Sequence, residues 1–274
     1  MGGYATATWR VIRSGAADGA TNMAVDEALL RAVARGEARA ALRLYAWEPP
    51  CLSLGRGQPV DDVDRRAVRA AGYDLVRRPT GGRAILHIDE LTYSVVAPQD
   101  DPRVRGSIVE SYRRLSSGLV RAVERLGVGQ IVADQRLEGH AAGESDVQGP
   151  VCFEVPSDYE ITAGGKKLVG SAQMRAQGVV LQHGTIPLHG DIARICPLLA
   201  QHPDPVRVRA RATTVERALD RTVSWEEAAQ ALITAFEETL DLRLVPDQLT
   251  QNERAAAREL RKEKYATSSW TEAI

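Results

Sequence analysis

A thiol and an amine lie fifteen positions apart near the middle of this 274-residue chain, as Cys152 and Lys167. A cysteine accepts an acyl group well only as the thiolate, and a nearby ammonium group favours that charged form. Residues 158–162 alternate like a strand and residues 163–165 are typical of a tight turn, so we expect a hairpin that returns through Lys167 to Gln173. That hairpin would make the two side chains neighbours, which predicts a cysteine acyl-transfer site with a lysine partner.

The other two cysteines have different surroundings. Cys51 precedes a strand-like run, and Cys196 lies among isoleucine and leucine residues of a predicted helix, so both are typical of small buried hydrophobic side chains. Spacing alone does not decide whether Cys152 is a third buried cysteine of this kind or a nucleophile. Lys167 lies beside a Gly-Gly turn, and its position is equally consistent with a solvated lysine and with a catalytic one.

A second candidate site is the glycine-bearing loop that follows a predicted strand over residues 74–77. Pro79 fixes the turn, while Gly81 and Gly82 permit positive φ and let the backbone approach a ligand closely. The flanking arginines and free N–H groups suit an anionic or carbonyl-bearing ligand. An ordinary loop with solvated arginines is the alternative, and the loop alone does not exclude it.

The composition argues against several classes of function. The chain has 35 basic and 36 acidic residues, and this balance removes the usual electrostatic argument for binding nucleic acid or a membrane surface. No stretch approaches the roughly 20 apolar residues that span a bilayer. We expect no secretion, and three cysteines without framework spacing predict a reducing compartment, the cytoplasm. The five histidines are scattered, so no metal site is predicted.

The order of predicted elements indicates an α/β (α+β) fold with a mixed or antiparallel sheet, because hairpin-like links outnumber βαβ units. Capping boxes at Ser107, Ser224 and Thr250 each predict the start of a helix, and Thr21-Asn22 is the predicted cap of another. We expect one catalytic domain over residues 1–274, with C-terminal helices from about residue 213 packed on it, since about 50 residues alone make a thin core. The predicted strands cover residues 42–45, 51–54, 74–77, 84–87, 91–96, 130–133, 158–162, 179–181 and 242–245.

Three further motifs, at residues 22–28, 54–58 and 182–185, complete a pattern with the two candidate sites. Together these five motifs resemble the biotin/lipoate A/B protein ligase superfamily, in order and spacing, over about residues 8 to 250. The resemblance implies a biotin/lipoate-ligase-type fold, with mixed or antiparallel sheets flanked by helices and an acyl chain in a tunnel beside the glycine-bearing loop. It also implies that Lys167 contacts the acyl carbonyl.

Two departures from the ATP-using ligases point to one branch. Those ligases carry three consecutive glycines in the loop, whereas Arg83 stands at the third position here. Phe153 and residues 156–160 instead resemble the cysteine-dependent octanoyl-[acyl carrier protein]:protein N-octanoyltransferases of Gram-positive type. In that group the cysteine carries the acyl chain as a thioester and the lysine lowers the pKa of the thiol.

The resemblance therefore implies that Cys152 is the nucleophile and Lys167 its electrostatic partner. His87 and His183 could instead be structural. The residues that the resemblance implies for the acyl pocket are Arg78, Thr80, Gly81, Gly82, Arg83, Ile85 and His87 on one side, and Gly170, Ser171, Ala172, His183 and Gly184 on the other.

The function implied is transfer of an octanoyl group from acyl carrier protein to a lysine of a lipoyl carrier domain, such as the glycine cleavage H protein. It needs no cofactor, and we expect a monomer with no nucleic-acid or membrane partner. One alternative is a lipoate-protein ligase, which would use ATP and Mg²⁺. A second alternative is octanoyl amidotransfer between two carrier domains, and a third is a non-catalytic acyl-binding module.

Overall fold

The chain folds around two β-sheets. The computed structural model describes residues 3–134 and 160–274, and within them the larger sheet has eight strands and the smaller sheet three. The strands in chain order are β1 (Ala7–Ala17), β2 (Ala41–Trp47), β3 (Cys51–Leu54), β4 (Asp74–Arg77), β5 (Ile85–His87), β6 (Glu90–Pro98), β7 (Ile131–Asp134), β8 (Glu160–Ala163), β9 (Lys166–Ala176), β10 (Val179–Pro187) and β11 (Leu242–Asp247).

The larger sheet has the order β11-β1-β2-β6-β10-β9-β8-β7. Strand β1 runs parallel to β11 and β2, and the remaining neighbours in this sheet are antiparallel. In the smaller sheet, β3 lies between β4, which is parallel to it, and β5, which is antiparallel. The predicted α/β (α+β) class with mixed sheets flanked by helices is confirmed.

Helices cover both faces of the larger sheet. In chain order they are α1 (Gly19–Ala34), α2 (Arg65–Ala70), α3 (Ile108–Arg125), α4 (Pro205–Arg211), α5 (Val215–Leu219), α6 (Trp225–Leu240), α7 (Gln251–Leu260) and α8 (Ser268–Thr271). One face of the larger sheet packs against α3 and α6, and the other against α1, behind which α7 packs. The smaller sheet has its own apolar cluster with α2, α4 and the segment between β10 and α4.

The start of α1 differs from the prediction. The helix begins at Gly19 because the Asp18 carboxylate accepts a hydrogen bond from the Thr21 amide, so Asp18 is the cap rather than Thr21 or Asn22. The Asn22 side chain instead donates to the carbonyl oxygens of Ala17 and Ala46. Asn22 therefore fixes the helix to the strands beside it.

The capping boxes have mixed outcomes. Those at Ser107 and Thr250 form in full, whereas Ser224 caps α6 without the reciprocal bond because Glu227 pairs with Arg221 at 2.7 Å. On α3 and at its C-terminal end, Leu115, Leu119, Val123 and Leu126 are buried, whereas Ile108 in the first turn is 53% exposed.

Strand β1 and the surroundings of Cys196 also depart from the prediction. No strand was predicted over Ala7–Ala17, where Arg10 interrupts the apolar pattern. Arg10 is nevertheless buried and pairs with Asp247 and Glu253. Cys196 lies in a 3₁₀ turn (Ile192–Leu198) rather than a regular helix, and it is buried as predicted, like Cys51.

The C-terminal helices pack against elements from the first half of the chain. Helix α6 contacts α3, and α7 contacts α1. The α3–α6 contact is close: a Cβ on Gly118 would lie 2.7 Å from the Phe236 ring, so only glycine fits there. The organisation of residues 1–274 as one domain stays a prediction.

Candidate active site

A cavity of about 170 Å³ lies between the two sheets. This is an order of magnitude more than the roughly 10–15 Å³ that one water needs. One wall comes from β5 and the loop before it, and the other from the β2, β6, β10 and β9 side of the larger sheet. The lining residues are Trp47, Arg78, Gly82, Arg83, Ile85, His87, Thr92, Lys167, Gly170, Ser171, Ala172, His183, Gly184 and Thr185.

Most of the predicted pocket residues meet at this cavity. The exceptions are Thr80, which is buried against His183, and Gly81, which is exposed. Trp47, Thr92 and Thr185 also line the cavity but were not among the predicted residues. They occupy ordinary strand positions, so no local signal separates them from core residues.

Two close backbone approaches shape the walls. A Cβ on Gly184 would lie 2.5 Å from the Gly170 carbonyl oxygen and 2.7 Å from both Ser171 Oγ and Tyr93 Cε1. A Cβ on Gly55 would lie 1.9 Å from the Gly82 carbonyl oxygen. Because real Cβ atoms do not approach so closely, both positions require glycine while the walls keep this shape.

Lys167 lies on the predicted hairpin. Strands β8 and β9 pair antiparallel through the turn at Gly164 and Gly165, whose φ angles are +55° and +75°. Lys166 is exposed and donates to the Arg209 carbonyl oxygen, whereas Lys167 is 3% exposed and lines the cavity. The two lysines therefore occupy different environments, as the two-residue period of a strand predicts.

The ammonium of Lys167 lies 3.1 Å from a carboxylate oxygen of Glu160, at the start of β8. The Lys167 carbonyl accepts from the Thr213 amide. A buried ammonium that keeps a carboxylate partner retains its positive charge at lower cost than an isolated one. The Lys167 side chain of this ion pair lines the cavity, where it is placed to contact an anion or a polarised carbonyl oxygen.

Cys152 lies outside the described residues, as do residues 135–151 and 153–159. Strand β7 ends at Asp134, immediately before the first of these residues. Of the predicted strand over 158–162, the part from Glu160 is described and belongs to β8. The distance between Cys152 and Lys167 stays a prediction.

A buried ionic network lies behind the cavity wall. The Asp26 carboxylate, on α1, pairs with Arg43 at 2.7 Å and accepts hydrogen bonds from Tyr45 and Ser94. His183 Nδ1 lies 3.5 Å from the same carboxylate. Burial raises the pKa of Asp26, but the Arg43 charge and His183 outweigh it, so the net shift is downward. Asp26 is therefore ionised and held by several partners.

His183 connects this network to the glycine-bearing loop. Its Nε2 lies 2.6 Å from the Thr80 hydroxyl, and its ring lines the cavity. Burial lowers the pKa of His183, and the neighbouring positive charge of Arg78 acts in the same direction, against Asp26. A neutral imidazole that donates from Nδ1 to Asp26 and accepts from Thr80 at Nε2 satisfies all three groups.

His87 has a second network of this kind. Its ring stacks on Trp47 with centroids 4.0 Å apart, Nδ1 lies 2.7 Å from Glu90, and Nε2 lies 2.8 Å from the Ser53 hydroxyl. Trp47 Nε1 donates to the Thr92 hydroxyl, which donates in turn to Glu90. The polar atoms of this wall are therefore paired with one another, and flat ring surfaces remain for an apolar ligand.

The arginines of the loop are held differently from one another. Arg78 is buried and donates to the carbonyl oxygens of Ser53, Gly81 and Arg83. These bonds fold the loop around the guanidinium group, which also lines the cavity. Arg83 is more exposed, with its guanidinium 3.9 Å from Asp62. The simple interpretation of the loop arginines as solvated groups is wrong for Arg78.

Tyr93 supports the wall from the opposite face of the larger sheet. Its hydroxyl lies 2.7 Å from the Ser171 hydroxyl and accepts from the Gln182 amide. Burial raises the pKa of Tyr93 to about 12, although the bonds to Ser171 and Gln182 oppose the shift. Tyr93 was not predicted as part of the site, because a tyrosine within a strand pattern is typical of ordinary core packing.

The described residues offer neither a metal site nor a membrane-spanning helix. Residues 3–134 and 160–274 contain no group of three or more histidine, cysteine, aspartate or glutamate side chains placed to hold a metal ion. Within the same residues, no helix is both long enough and apolar enough to cross a membrane.

The chain matches the model of the lipoyl protein ligase A/B catalytic domain over residues 18–237. It is 45% identical over 273 residues to octanoyltransferase LipM of Kyrpidia tusciae, covering 96% of this chain and 98% of that protein. Lipoate-protein ligase A bound with ATP superposes with a TM-score of 0.80 at 28% identity, covering 97% of this chain and 99% of that one. A bi-partite lipoate protein ligase from Thermoplasma acidophilum, described with its E2 lipoyl domain, superposes with a TM-score of 0.78 at 26% identity, covering 97% of each chain.

Proposed function

The chain belongs to the lipoyl protein ligase A/B catalytic domain family and its similarity to octanoyltransferases makes it an acyltransferase, and we propose that it transfers an octanoyl group from acyl carrier protein to a lysine of a lipoyl carrier domain. The observation that carries the proposal is the apolar cavity with the buried ammonium of Lys167 in its wall. The similarity to octanoyltransferase LipM over almost the whole chain supports the choice of acyl group.

The first chemical step is thioester exchange. The thiolate of Cys152 attacks the carbonyl carbon of the octanoyl thioester, a new C–S bond forms, and the bond to the carrier sulfur breaks. The carrier thiolate leaves and takes a proton from water. In this step the ammonium of Lys167 stabilises negative charge first on the thiolate and then on the carbonyl oxygen.

The second step forms an amide. The neutral amine of the acceptor lysine attacks the Cys152 thioester, the C–N bond forms, the C–S bond breaks, and the amine proton passes to solvent. Thioester exchange is nearly isoenergetic and amide formation from a thioester is downhill, so the sequence of steps needs no nucleotide. The proposed acceptor is a lipoyl domain or the glycine cleavage H protein.

The cavity would hold the hydrocarbon part of the acyl chain. Trp47, His87 and Ile85 offer apolar surface, and the polar atoms of that wall bond to one another. Burial of an acyl chain gains about 0.8 kcal/mol for each CH₂ group removed from water. The close approaches of Gly184 to Gly170 and of Gly55 to Gly82 fix the backbone of the two cavity walls.

The second candidate function is that of a lipoate-protein ligase, which is favoured by the similarity to a ligase structure bound with ATP. Such an enzyme would use ATP and Mg²⁺ to activate free lipoate and would not depend on Cys152. Octanoyl amidotransfer between two carrier domains is a third candidate that keeps the cysteine chemistry.

One assay separates these functions. Wild type and Cys152→Ala are each supplied with octanoyl-acyl carrier protein without ATP, or with free lipoate plus ATP and Mg²⁺, and modification of a lipoyl domain is followed by mass. We expect transfer from the carrier thioester by wild type and almost none by Cys152→Ala. Modification that requires ATP and survives in Cys152→Ala would replace this proposal with the ligase. Octanoyl-lipoyl domain as a third donor tests amidotransfer.

The role of Lys167 has a matched control in Lys166, the adjacent exposed lysine. We expect Lys167→Ala to move the pH profile of Cys152 alkylation to higher pH, and Lys166→Ala to leave it in place. Lys167→Arg should rescue only in part, because the guanidinium differs in reach and geometry. The profiles are measured after replacement of Cys51 and Cys196. A shifted alkylation profile in Lys166→Ala but not in Lys167→Ala would contradict the assignment of this role to Lys167.

A further inference from the structure

A second hydrogen-bond network, centred on Arg77, lies behind the cavity wall. Arg77 neither takes part in the proposed chemistry nor lines the cavity. It is 1% exposed, and the hydrogen bonds of its guanidinium to other described residues all go to main-chain carbonyl oxygens. Burial lowers the pKa of this guanidinium. Removing a cation from water in this way is costly, so the contacts it makes must be fixed in place.

The first group of these carbonyls belongs to the loop after β3. Arg77 Nη1 donates to Gly55 at 2.8 Å, to Arg56 at 3.2 Å and to Gln58 at 2.6 Å. A run of carbonyl oxygens that converges on one cation cannot spread without losing several bonds at once. The guanidinium therefore sets the curvature of residues 55–58.

The second group belongs to α8, about 190 residues further along the chain. Arg77 Nε donates to the carbonyls of Trp270 and Thr271, and Nη2 donates to Thr271 at 2.8 Å. In return, the Trp270 indole N–H donates to the Arg77 carbonyl at 2.8 Å. The Arg56 guanidinium lies 5.8 Å from the centre of the Trp270 ring. Hydrogen bonds in both directions, from the Arg77 side chain and from the Trp270 side chain, thus hold α8 to Arg77.

The loop held by Arg77 is in direct contact with the cavity wall. The Arg56 amide donates to the Thr80 carbonyl at 2.8 Å, and the Arg78 amide donates to the Leu54 carbonyl at 2.9 Å. Gly55 is packed so closely on Gly82 that a Cβ would lie 1.9 Å from the Gly82 carbonyl oxygen. Because Gly82 lines the cavity, a displacement of residues 55–58 would shift the cavity wall at Gly82.

We infer that α8, through Trp270 and Arg77, is a positioning element for the acyl pocket: it holds residues 55–58, and these hold the glycine-bearing wall at Gly82. Neither Arg77 nor Trp270 lines the cavity, so both act through the loop. The kinetic consequence of this inference rests on the proposed function, whereas its structural consequence rests on the hydrogen bonds alone.

The test uses Trp270→Phe, which keeps an aromatic ring and removes the indole bond to Arg77, and Arg77→Lys, which keeps the charge and loses the fork of donors. Trp225→Phe is the matched control, because Trp225 is also half-buried and donates its indole N–H to a carbonyl, that of Tyr45. The mild Trp270→Phe change keeps the test valid where Arg77→Lys does not fold.

Hydrogen exchange of the Arg56 and Arg78 amides is the structural readout. We expect both amides to exchange about two- to tenfold faster in Trp270→Phe, the range that loss of one such hydrogen bond gives, and to be unchanged in Trp225→Phe. Unchanged exchange of these amides in Trp270→Phe would overturn the inference, whether or not Arg77→Lys folds.

The kinetic readout is the KM for octanoyl-acyl carrier protein. We expect Trp270→Phe to raise this KM by about two- to tenfold and to leave kcat within about twofold of wild type. This is the result expected when a variant loses binding energy equally in the ground state and in the transition state. Faster exchange with an unchanged KM would overturn the inference, because the loop would then be uncoupled from the pocket. If wild type transfers no octanoyl group, the proposed function fails, and the exchange data still decide whether α8 holds the wall.

Discussion

Gly184 and Gly170 are a matched pair of glycines on neighbouring strands of the cavity wall, and alanine should affect them in opposite ways. Neither is in the left-handed region, so alanine strains neither backbone. At Gly184 the new Cβ would lie 2.5 Å from the Gly170 carbonyl oxygen, and a backbone atom inside a strand ladder cannot move away cheaply. At Gly170 the nearest atom is Lys167 Cε at 3.9 Å, an ordinary van der Waals contact.

The expected magnitudes follow from these distances. Overpacking at Gly184→Ala should lower the free energy of unfolding by about 1–3 kcal/mol. Gly170→Ala should leave that free energy unchanged or raise it by up to about 1 kcal/mol, because alanine lowers the entropy of the unfolded chain. The two variants should therefore differ by about 1–4 kcal/mol, although each places one methyl group on the same wall.

Urea unfolding followed by tryptophan fluorescence measures both variants against wild type, with stability taken from the midpoint at constant slope. Equal stability of the two variants, or a less stable Gly170→Ala, would refute the packing described for the wall. A changed slope for Gly184→Ala alone would instead indicate a looser folded or unfolded state and would have to be resolved before the midpoints are compared.

Two other predictions concern the network behind the wall. Asp26→Asn should lower the free energy of unfolding by about 3–5 kcal/mol, because Arg43 stays buried without its carboxylate, and a loss below about 1 kcal/mol in urea unfolding would contradict the pairing. Wild type should lose stability as the pH falls from 7 to 5: the folded-state pKa of His183 is depressed, so the unfolded chain binds more protons in this range. His183→Gln should remove part of this loss, whereas an unchanged pH slope in that variant would show that other groups cause it. Asp26 also has a depressed pKa, so its contribution is present above the unfolded-state value and is lost only at lower pH.

Local patterns predicted the elements that position the site. Strands β3 and β4 begin and end at the predicted residues, because each is a short apolar run bounded by turn residues. The hairpin around Gly164 and Gly165 was predicted for the same reason, and it gives Lys166 and Lys167 different environments. Information of this kind is carried by neighbours in sequence.

The features that the sequence analysis missed depend on partners distant in sequence. Arg10 is unremarkable until Glu253 and Asp247 are placed beside it, and Arg77 resembles a solvated arginine until α8 supplies its carbonyl groups. Asp26 lies in a predicted helix, and only the fold reveals that its partner is Arg43 on β2. Burial of a charge is decided by tertiary contacts, so propensity and periodicity do not predict it.

The central claim is that acyl transfer passes through a thioester on Cys152, and the intact mass of the protein tests it directly. The protein is incubated with octanoyl-acyl carrier protein, without ATP and without an acceptor domain, then measured before and after hydroxylamine. We predict that wild type gains one octanoyl group that hydroxylamine removes, and that Cys152→Ala gains none. An unmodified wild type under conditions that support transfer, or the same gain in Cys152→Ala, would contradict the account.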